Sequence, residues 1–420
     1  MLQLNELVRR LRCLVLYGNI CKDPVFEALE VLSKHMDAIA WHTFVSRLVH
    51  CAEEECLSGN IFKKYIVLLF LRDENIFAMA CENKTPNLQS SGLYQIAAKD
   101  IDILNYVLNF DMKKLCKEFG FDHKIIYHYI PQKKPVKIGV PAYKGMFAAL
   151  IRYYSHKGCG QFARNRFFEI LDGEVCPIRH ADTVQLEDII GYEEQKQMLI
   201  ANTEAFLAGR PANHVLLAGA RGTGKSSCVK ALANTYFDKK LRVIKAEHRE
   251  IKVLKGLFKT LRERGLYFII FLDDVSYEST DAHYVELKTL LEGDPRVCPS
   301  NILFYATSNR RHLVKETWSD RAAATEEVHA SDVLNEKLSL SDRFGLSITF
   351  PKPNPQQYLD IVRGIAMKEE LDIPESFLNE AAKQWELNQK GLSGRTARQF
   401  VNQLITDGNQ ERKGEMSYEH

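Results

Sequence analysis

Gly219 to Ser226 read G-A-R-G-T-G-K-S in this 420-residue chain, which is the full G-x-x-x-x-G-K-[ST] spacing of a phosphate-binding loop. The types suit that task. Gly219, Gly222 and Gly224 permit a compact backbone path, and successive amides from Thr223 to Ser227, at the start of a helix, can surround phosphate oxygens. Lys225 is the residue to reach the β- and γ-phosphates, and Ser226 the hydroxyl to help hold magnesium. Ser227 and Cys228 otherwise continue the helix.

A second constellation lies downstream, where the apolar run Y-F-I-I-F-L ends in Asp273 and Asp274. At that strand end Asp273 can coordinate Mg²⁺ directly or through water, which with Ser226 completes a metal site. Asp274 can orient the attacking water or accept its proton, or it can serve only to hold the turn. In F-Y-A-T-S-N, Asn309 is placed to orient the water, with Thr307 or Ser308 as alternatives and strand capping as the bland reading. Arg343, in S-D-R-F-G, precedes another strand and can project into a neighbouring subunit's nucleotide, or pair with Asp342. Arg395 and Arg398, in G-L-S-G-R-T-A-R, share a helix face; Arg395 can reach back to the phosphate, and Arg398 can join it or anchor the helix. Ile190 and Gly191 can close over adenine or simply pack the linker. Lys225, Asp273, Asp274, Asn309, Arg343 and Arg395 thus form the candidate catalytic set. Phosphoryl chemistry depends chiefly on such positioning and charge.

The elements that must position these groups follow from periodicity. Residues 1–110 carry apolar positions at spacings of three and four and predict a helical N-terminal domain. Residues 111–181 read as a basic connector or small subdomain, broken at Pro131, Pro135 and Pro141. From 182 to 352, apolar runs alternate with helical patterns: V-L-L-A-G, L-R-V-I-K-A, Y-F-I-I-F-L, I-L-F-Y-A-T-S and L-S-I-T-F predict five strands. That alternation argues for an α/β layer with a largely parallel sheet. Helices over roughly 354–369, 374–388 and 394–406 make 353–407 a helical lid, and 408–420 reads as a solvated tail.

Hydrophobic residues form 45% of the chain and charged ones 26%, with a net charge of +2, which reads as soluble and globular rather than disordered. Residues 111–166 hold twelve Lys or Arg against three Asp or Glu. Such a stretch could meet nucleic acid, or be a solvated surface without a polyanion. Within it Tyr127, Tyr129 and Tyr143 stand near Lys133, Lys134 and Lys137, a mix that could stack on bases or pack beneath snorkelling lysines. Ten cysteines without ligand spacing, and the absence of a long apolar run, predict reduced thiols in a cytoplasmic protein with no membrane insertion.

In this order, I-I-G-Y-E-E-Q-K, G-A-R-G-T-G-K-S-S, F-L-D-D-V-S, L-L-E-G, Y-A-T-S-N, S-D-R-F-G and G-L-S-G-R-T-A-R-Q-F closely resemble the AAA+ ATPases over about 182–407. They also resemble a bacterial ATP-binding family with a helical N-terminal region, catalogued as domain of unknown function 815. The resemblance implies a P-loop NTPase sheet sandwich of AAA+ type, ATP and Mg²⁺ as cofactors, and shared nucleotide sites in a homo-oligomer. It makes Lys225, Ser226 and Asp273 the nucleotide and magnesium residues, and Asn309, Arg343 and Arg395 the sensor and interface residues. One departure stands out: many active members carry Glu where this chain has Asp274, whose reach is shorter by about 1.5 Å. The aromatic-hydrophobic-glycine loop of polypeptide unfoldases is missing from K-A-E-H-R-E-I-K-V-L-K-G-L-F-K. A likeness to bacterial helicase-loading ATPases holds at fold level, and Arg310 and Arg311 could face a nucleic acid.

The function these features predict is an ATP-binding, ATP-hydrolysing switch or remodeller of a protein or nucleic-acid complex. Its partners would be ATP, ADP and an unidentified protein. A nonhydrolytic nucleotide-dependent adaptor is the alternative, and a P-loop small-molecule kinase a third reading.

Overall fold

The computed structural model describes residues 2–135, 145–178, 182–275, 282–291, 298–309, 343–387 and 391–416. Lys137, Pro141, Tyr143, Arg310, Arg311 and Asp342 lie outside the described residues. Two compact units are present: Met1–Arg164 with Arg264–Leu266, and Asn165–Glu263 with Tyr267–His420.

The first unit is helical, with α1 (Leu2–Leu11), α2 (Pro24–His35), α3 (Ala38–Glu54), α4 (Ile61–Arg72), α5 (Ile76–Glu82), α6 (Gly92–Asn109), α7 (Met112–Phe119), α8 (Lys124–Tyr127) and α9 (Met146–Lys157). Short polar residues fix where these helices begin. Asp23, Asp37, Asn60, Asn75 and Ser91 each accept a backbone N–H of the first turn they precede, the N-cap arrangement that satisfies otherwise orphaned donors. Leu7, Phe44, Phe62, Phe70, Ile101 and Leu150 are among the side chains of one apolar core. Tyr127 and Tyr129 pack against that core; the Tyr127 hydroxyl accepts from the Lys113 N–H at 3.0 Å, and the Tyr129 hydroxyl donates to Glu53. Both rings are therefore committed to the packing of this unit.

The second unit is built on a sheet of β1 (Phe167–Leu171), β2 (Glu174–Pro177), β3 (Val215–Gly219), β4 (Leu241–Ala246), β5 (Tyr267–Leu272), β6 (Ile302–Ser308) and β7 (Leu346–Phe350). Its order is β2-β1-β4-β5-β6-β3-β7. All neighbouring pairs are parallel except the β1–β2 hairpin. The five strands expected from the apolar runs are all present. The hairpin comes in addition, and its signal is Asp172-Gly173, both at positive φ, the pairing that a two-residue hairpin turn favours.

Along β5 only Tyr267 is not fully buried, and along β6 every residue is buried. Strands without an inside-outside alternation are covered on both faces: α10 (Glu193–Leu207) and α11 (Lys225–Tyr236) share a core with them, Phe258 of α12 (Ile251–Arg262) meets Phe304 of β6, and α13 (Ala282–Leu291) contacts α12. Leu217, Leu232, Val243, Ile269, Leu303 and Ile348 belong to the core on one of these faces.

The chain closes with α14 (Pro355–Lys368), α15 (Glu375–Leu387) and α16 (Gly394–Met416). α14 begins at a capping box in which Asn354 and Gln357 satisfy each other's backbone N–H groups, with Pro355 at the first helical position, where a missing N–H costs nothing. Tyr358, Val362, Ile365, Ala397 and Phe400 pack these helices together. α16 continues to Met416, past the end near 406 that fading apolar periodicity predicts.

Candidate functional site

β3 ends at Gly219 and α11 starts at Lys225, so residues 220–224 form the tight turn that carries the first helical amides to the rim of the sheet. Gly219 has φ +146° and its missing side chain is filled by the backbone: a Cβ there would lie 2.0 Å from the Phe350 carbonyl oxygen of β7. Only glycine lets the loop leave between two paired strands in this way. The first amides of α11 have no intrahelical acceptor and face the carboxyl end of the sheet, where crevices beside strand ends take ligands.

Lys225 is 6% exposed. Its ammonium donates to the carbonyls of Gly219 (2.9 Å) and Ala220 (2.7 Å) and to Oδ1 of Asn309 (3.4 Å). Burial draws its pKa below the ordinary lysine range, with Asp274 and Asp273 opposing the shift. Ser226 donates its hydroxyl to Oδ1 of Asp273 at 2.6 Å, so the loop and the end of β5 meet directly. Both are hard oxygen donors of the kind that Mg²⁺ prefers.

Asp274 adopts φ +55°, unusual for a side chain larger than glycine. Its carboxylate accepts from the Asn309 amide and lies 3.7 Å from the Arg221 guanidinium. Asn309 thereby touches both Lys225 and Asp274. Thr223 is buried and donates its hydroxyl to the Ala220 carbonyl at 2.9 Å, bracing the turn.

The lid reaches this point through backbone: the Arg395 N–H donates to the Gly222 carbonyl at 3.3 Å. Arg398 is paired with Glu369 at 2.6 Å, and Lys368 is paired with Asp188. A Cβ on Gly364 would meet Ile190 at 2.3 Å, so Ile190 is seated directly against α14.

These groups line one cleft of about 860 Å³, inside the range of about 300–1,000 Å³ usual for small-molecule sites. Gly222, Thr223, Gly224, Lys225, Ser226 and Ser227 share it with Asp273, Asp274, Asn309, Arg395 and Arg398. Ile190 is there too. Gly191 and Arg343 are not among its lining residues; Arg343 stands just before β7. The apolar end holds Ile189, Tyr192, Ile361 and Ile365, and the rim holds Asp182, Asp188 and Lys230. The sequence reading passed over these, although Ile361 and Ile365, four apart on a helix, share a face. No helix among the described residues is long and apolar enough to cross a membrane.

A parallel core in which the phosphate-loop strand β3 lies between β6 and β7, with a helical lid over the loop, is a P-loop NTPase fold of the AAA+ type. The chain belongs to the family described as protein of unknown function (DUF815), which matches residues 163–408. A comparison with curated proteins finds no match. Solved structures similar to part of the chain include three of RuvB from Thermotoga maritima. A proline-to-glycine mutant has 18% identity and a TM-score of 0.36, covering 52% of this chain and 64% of that one, less than two thirds of its length. A threonine-to-valine mutant has 15% identity and a TM-score of 0.32, over 52% and 71% of the two chains. RuvB described as a Holliday junction branch migration motor has 16% identity and a TM-score of 0.32, over 52% and 71%.

Proposed function

We propose that this cleft binds ATP with Mg²⁺ and hydrolyses it slowly, and that the protein is a nucleotide-driven switch or remodeller of a protein or nucleic-acid complex. The observation that carries the reading is the 2.6 Å contact between Ser226, at the start of α11, and Asp273, at the end of β5. It joins a phosphate cradle to a metal-supporting carboxylate.

The donor set fits the groups it would hold. First-turn amides of α11 and the Lys225 ammonium offer positive charge to phosphate oxygens, and Ser226 with Asp273 offers oxygen ligands to the metal. When bound, the magnesium ion neutralises charge on the phosphates. Asp274 is the carboxylate placed to prepare water, Asn309 orients it, and Arg395 and Arg398 add positive charge from the lid side. Ile189, Ile190, Tyr192, Ile361 and Ile365 provide an apolar seat for the base. Arg343 is not among the residues lining this cleft, and we assign it to the nucleotide of a second copy in a homo-oligomer. The free cysteines accord with the reducing cytoplasm we assign to the protein.

Isothermal titration with a nonhydrolysable ATP analogue, with and without Mg²⁺, tests the site, and phosphate release from ATP tests turnover. Analogue binding strengthened by magnesium, together with slow phosphate release, is expected; a chain that binds no nucleotide would sink the reading. A nonhydrolytic adaptor is the second reading, favoured by one observation: the Asp274 carboxylate is already engaged by Asn309 and Arg221. Analogue binding that alters assembly without any phosphate release would decide for it.

A further inference from the structure

The loop and the metal-supporting carboxylate arise on strands that are not neighbours. β3 and β5 both pair with β6, which lies between them, with Leu272 opposite Ala306 and Ala218 opposite Ser308. The residue that falls in this gap is Thr307, 2% exposed at the end of β6.

Its hydroxyl donates to Oδ1 of Asp273 at 2.6 Å and accepts the Asp274 backbone N–H at 2.8 Å. Its carbonyl accepts the Val275 N–H at 2.7 Å. A hydroxyl has one proton. With the Asp274 amide pointing at the oxygen, that proton is directed at Asp273, and the carboxylate is held in one orientation. The same contact holds the amide of the residue at φ +55°, so the turn that sets Asp274 against Asn309 and Arg221 is templated from β6.

Two hydroxyls therefore converge on one oxygen of Asp273, those of Ser226 and Thr307. Both residues line the cleft, Ser226 from the start of α11 and Thr307 from β6, where it is buried. Ser226 keeps both lone pairs for a cation, while Thr307 directs its proton and one of its two lone pairs at the β5 exit.

We propose that Thr307 is a positioning residue of the metal site: it aims the Asp273 carboxylate and fixes the left-handed turn at Asp274. The inference rests on the nucleotide and magnesium reading given above. Residues that hold a ligand in place typically change metal affinity or activity by about 10–100-fold when removed.

The test uses the full chain with Thr307→Val, which keeps the shape and removes the hydroxyl, and Thr307→Ser, which keeps the hydroxyl. Binding of a nonhydrolysable ATP analogue is titrated calorimetrically across a magnesium series and in EDTA, with thermal melts recorded for each chain. Thr307→Val is expected to need about 10–100-fold more magnesium for half of the metal-dependent gain in affinity. Its affinity in EDTA should match the wild type, and Thr307→Ser should restore the magnesium response. Should the valine chain not fold, Thr307→Cys, a much weaker donor of similar size, replaces it with the same expectation. A wild-type magnesium response in the hydroxyl-free chain would overturn the inference, as would a serine chain as impaired as the valine one. A wild-type chain that binds no analogue overturns the nucleotide reading itself, whereas wild-type binding with an unaffected variant overturns only the role of Thr307.

Discussion

The side-chain amide of Asn309 donates to the carboxylate of Asp274, while its oxygen lies 3.4 Å from the ammonium of Lys225. One residue from β6's end thus contacts both the cation of the phosphate loop and the acid next to Asp273. Turnover should depend on the acid, and binding on the cation.

Asp274→Asn is expected to lower phosphate release by about 100-fold or more while leaving analogue affinity within about twofold, since a positioned base contributes about 10²–10⁴ to such reactions. Asp274→Glu adds reach of about 1.5 Å and should raise turnover. Turnover assays at saturating ATP check both, and an asparagine chain as active as the wild type would remove Asp274 from the mechanism.

Lys225→Ala removes the buried cation of the loop. Analogue affinity should fall at least about tenfold, because charge-assisted hydrogen bonds to phosphate are among the strongest available. Calorimetry reads this directly; unchanged affinity would place the phosphates elsewhere.

Gly219→Ala puts a methyl group 2.0 Å from the Phe350 carbonyl at φ +146°. The backbone conformation alone costs about 1–3 kcal/mol, and relieving the clash means separating β3 from β7. Chemical denaturation should show the loss. Equal stability would mean that the loop can leave β3 by another path.

His214 supplies a pH dependence. Burial pulls its pKa from 6.5 to about 4, and its Nδ1 accepts the Phe304 N–H at 3.1 Å, which requires the neutral ring. Between about pH 6.5 and 4 the unfolded chain binds the proton that the folded chain refuses. Stability therefore rises with pH in that window, and acidification through it should cost up to about 3 kcal/mol. Denaturation series at several pH values measure the slope. His214→Asn, whose side-chain oxygen can take the same N–H, should flatten it; an unchanged slope would assign the effect to other groups.

Legibility from the sequence followed the range of the forces involved. The strands of the parallel core announce themselves because burial on both faces demands unbroken apolar runs such as Y-F-I-I-F-L. The phosphate loop is equally plain, since its geometry is local and its glycines are obligatory. The β1–β2 hairpin was legible in principle at Asp172-Gly173, but it follows directly on the basic 111–166 stretch and reads with it as one connector over 111–181. Thr307 is different: its bond to Asp273 depends on which strand lies between β3 and β5, and strand order is not written in any one segment. The same holds for Ile361 and Ile365, whose role as cleft wall depends on where the lid is seated.

The ammonium of Lys225 is already met by two carbonyl oxygens of its own loop. An arriving phosphate must therefore displace acceptors rather than fill an empty place, and the released carbonyls must find water or amides in turn. Such an exchange is nearly balanced for a single small anion, which brings few oxygens. On the nucleotide reading proposed above, a ligand with several linked phosphates would tip it towards binding, and the loop would favour a triphosphate over orthophosphate.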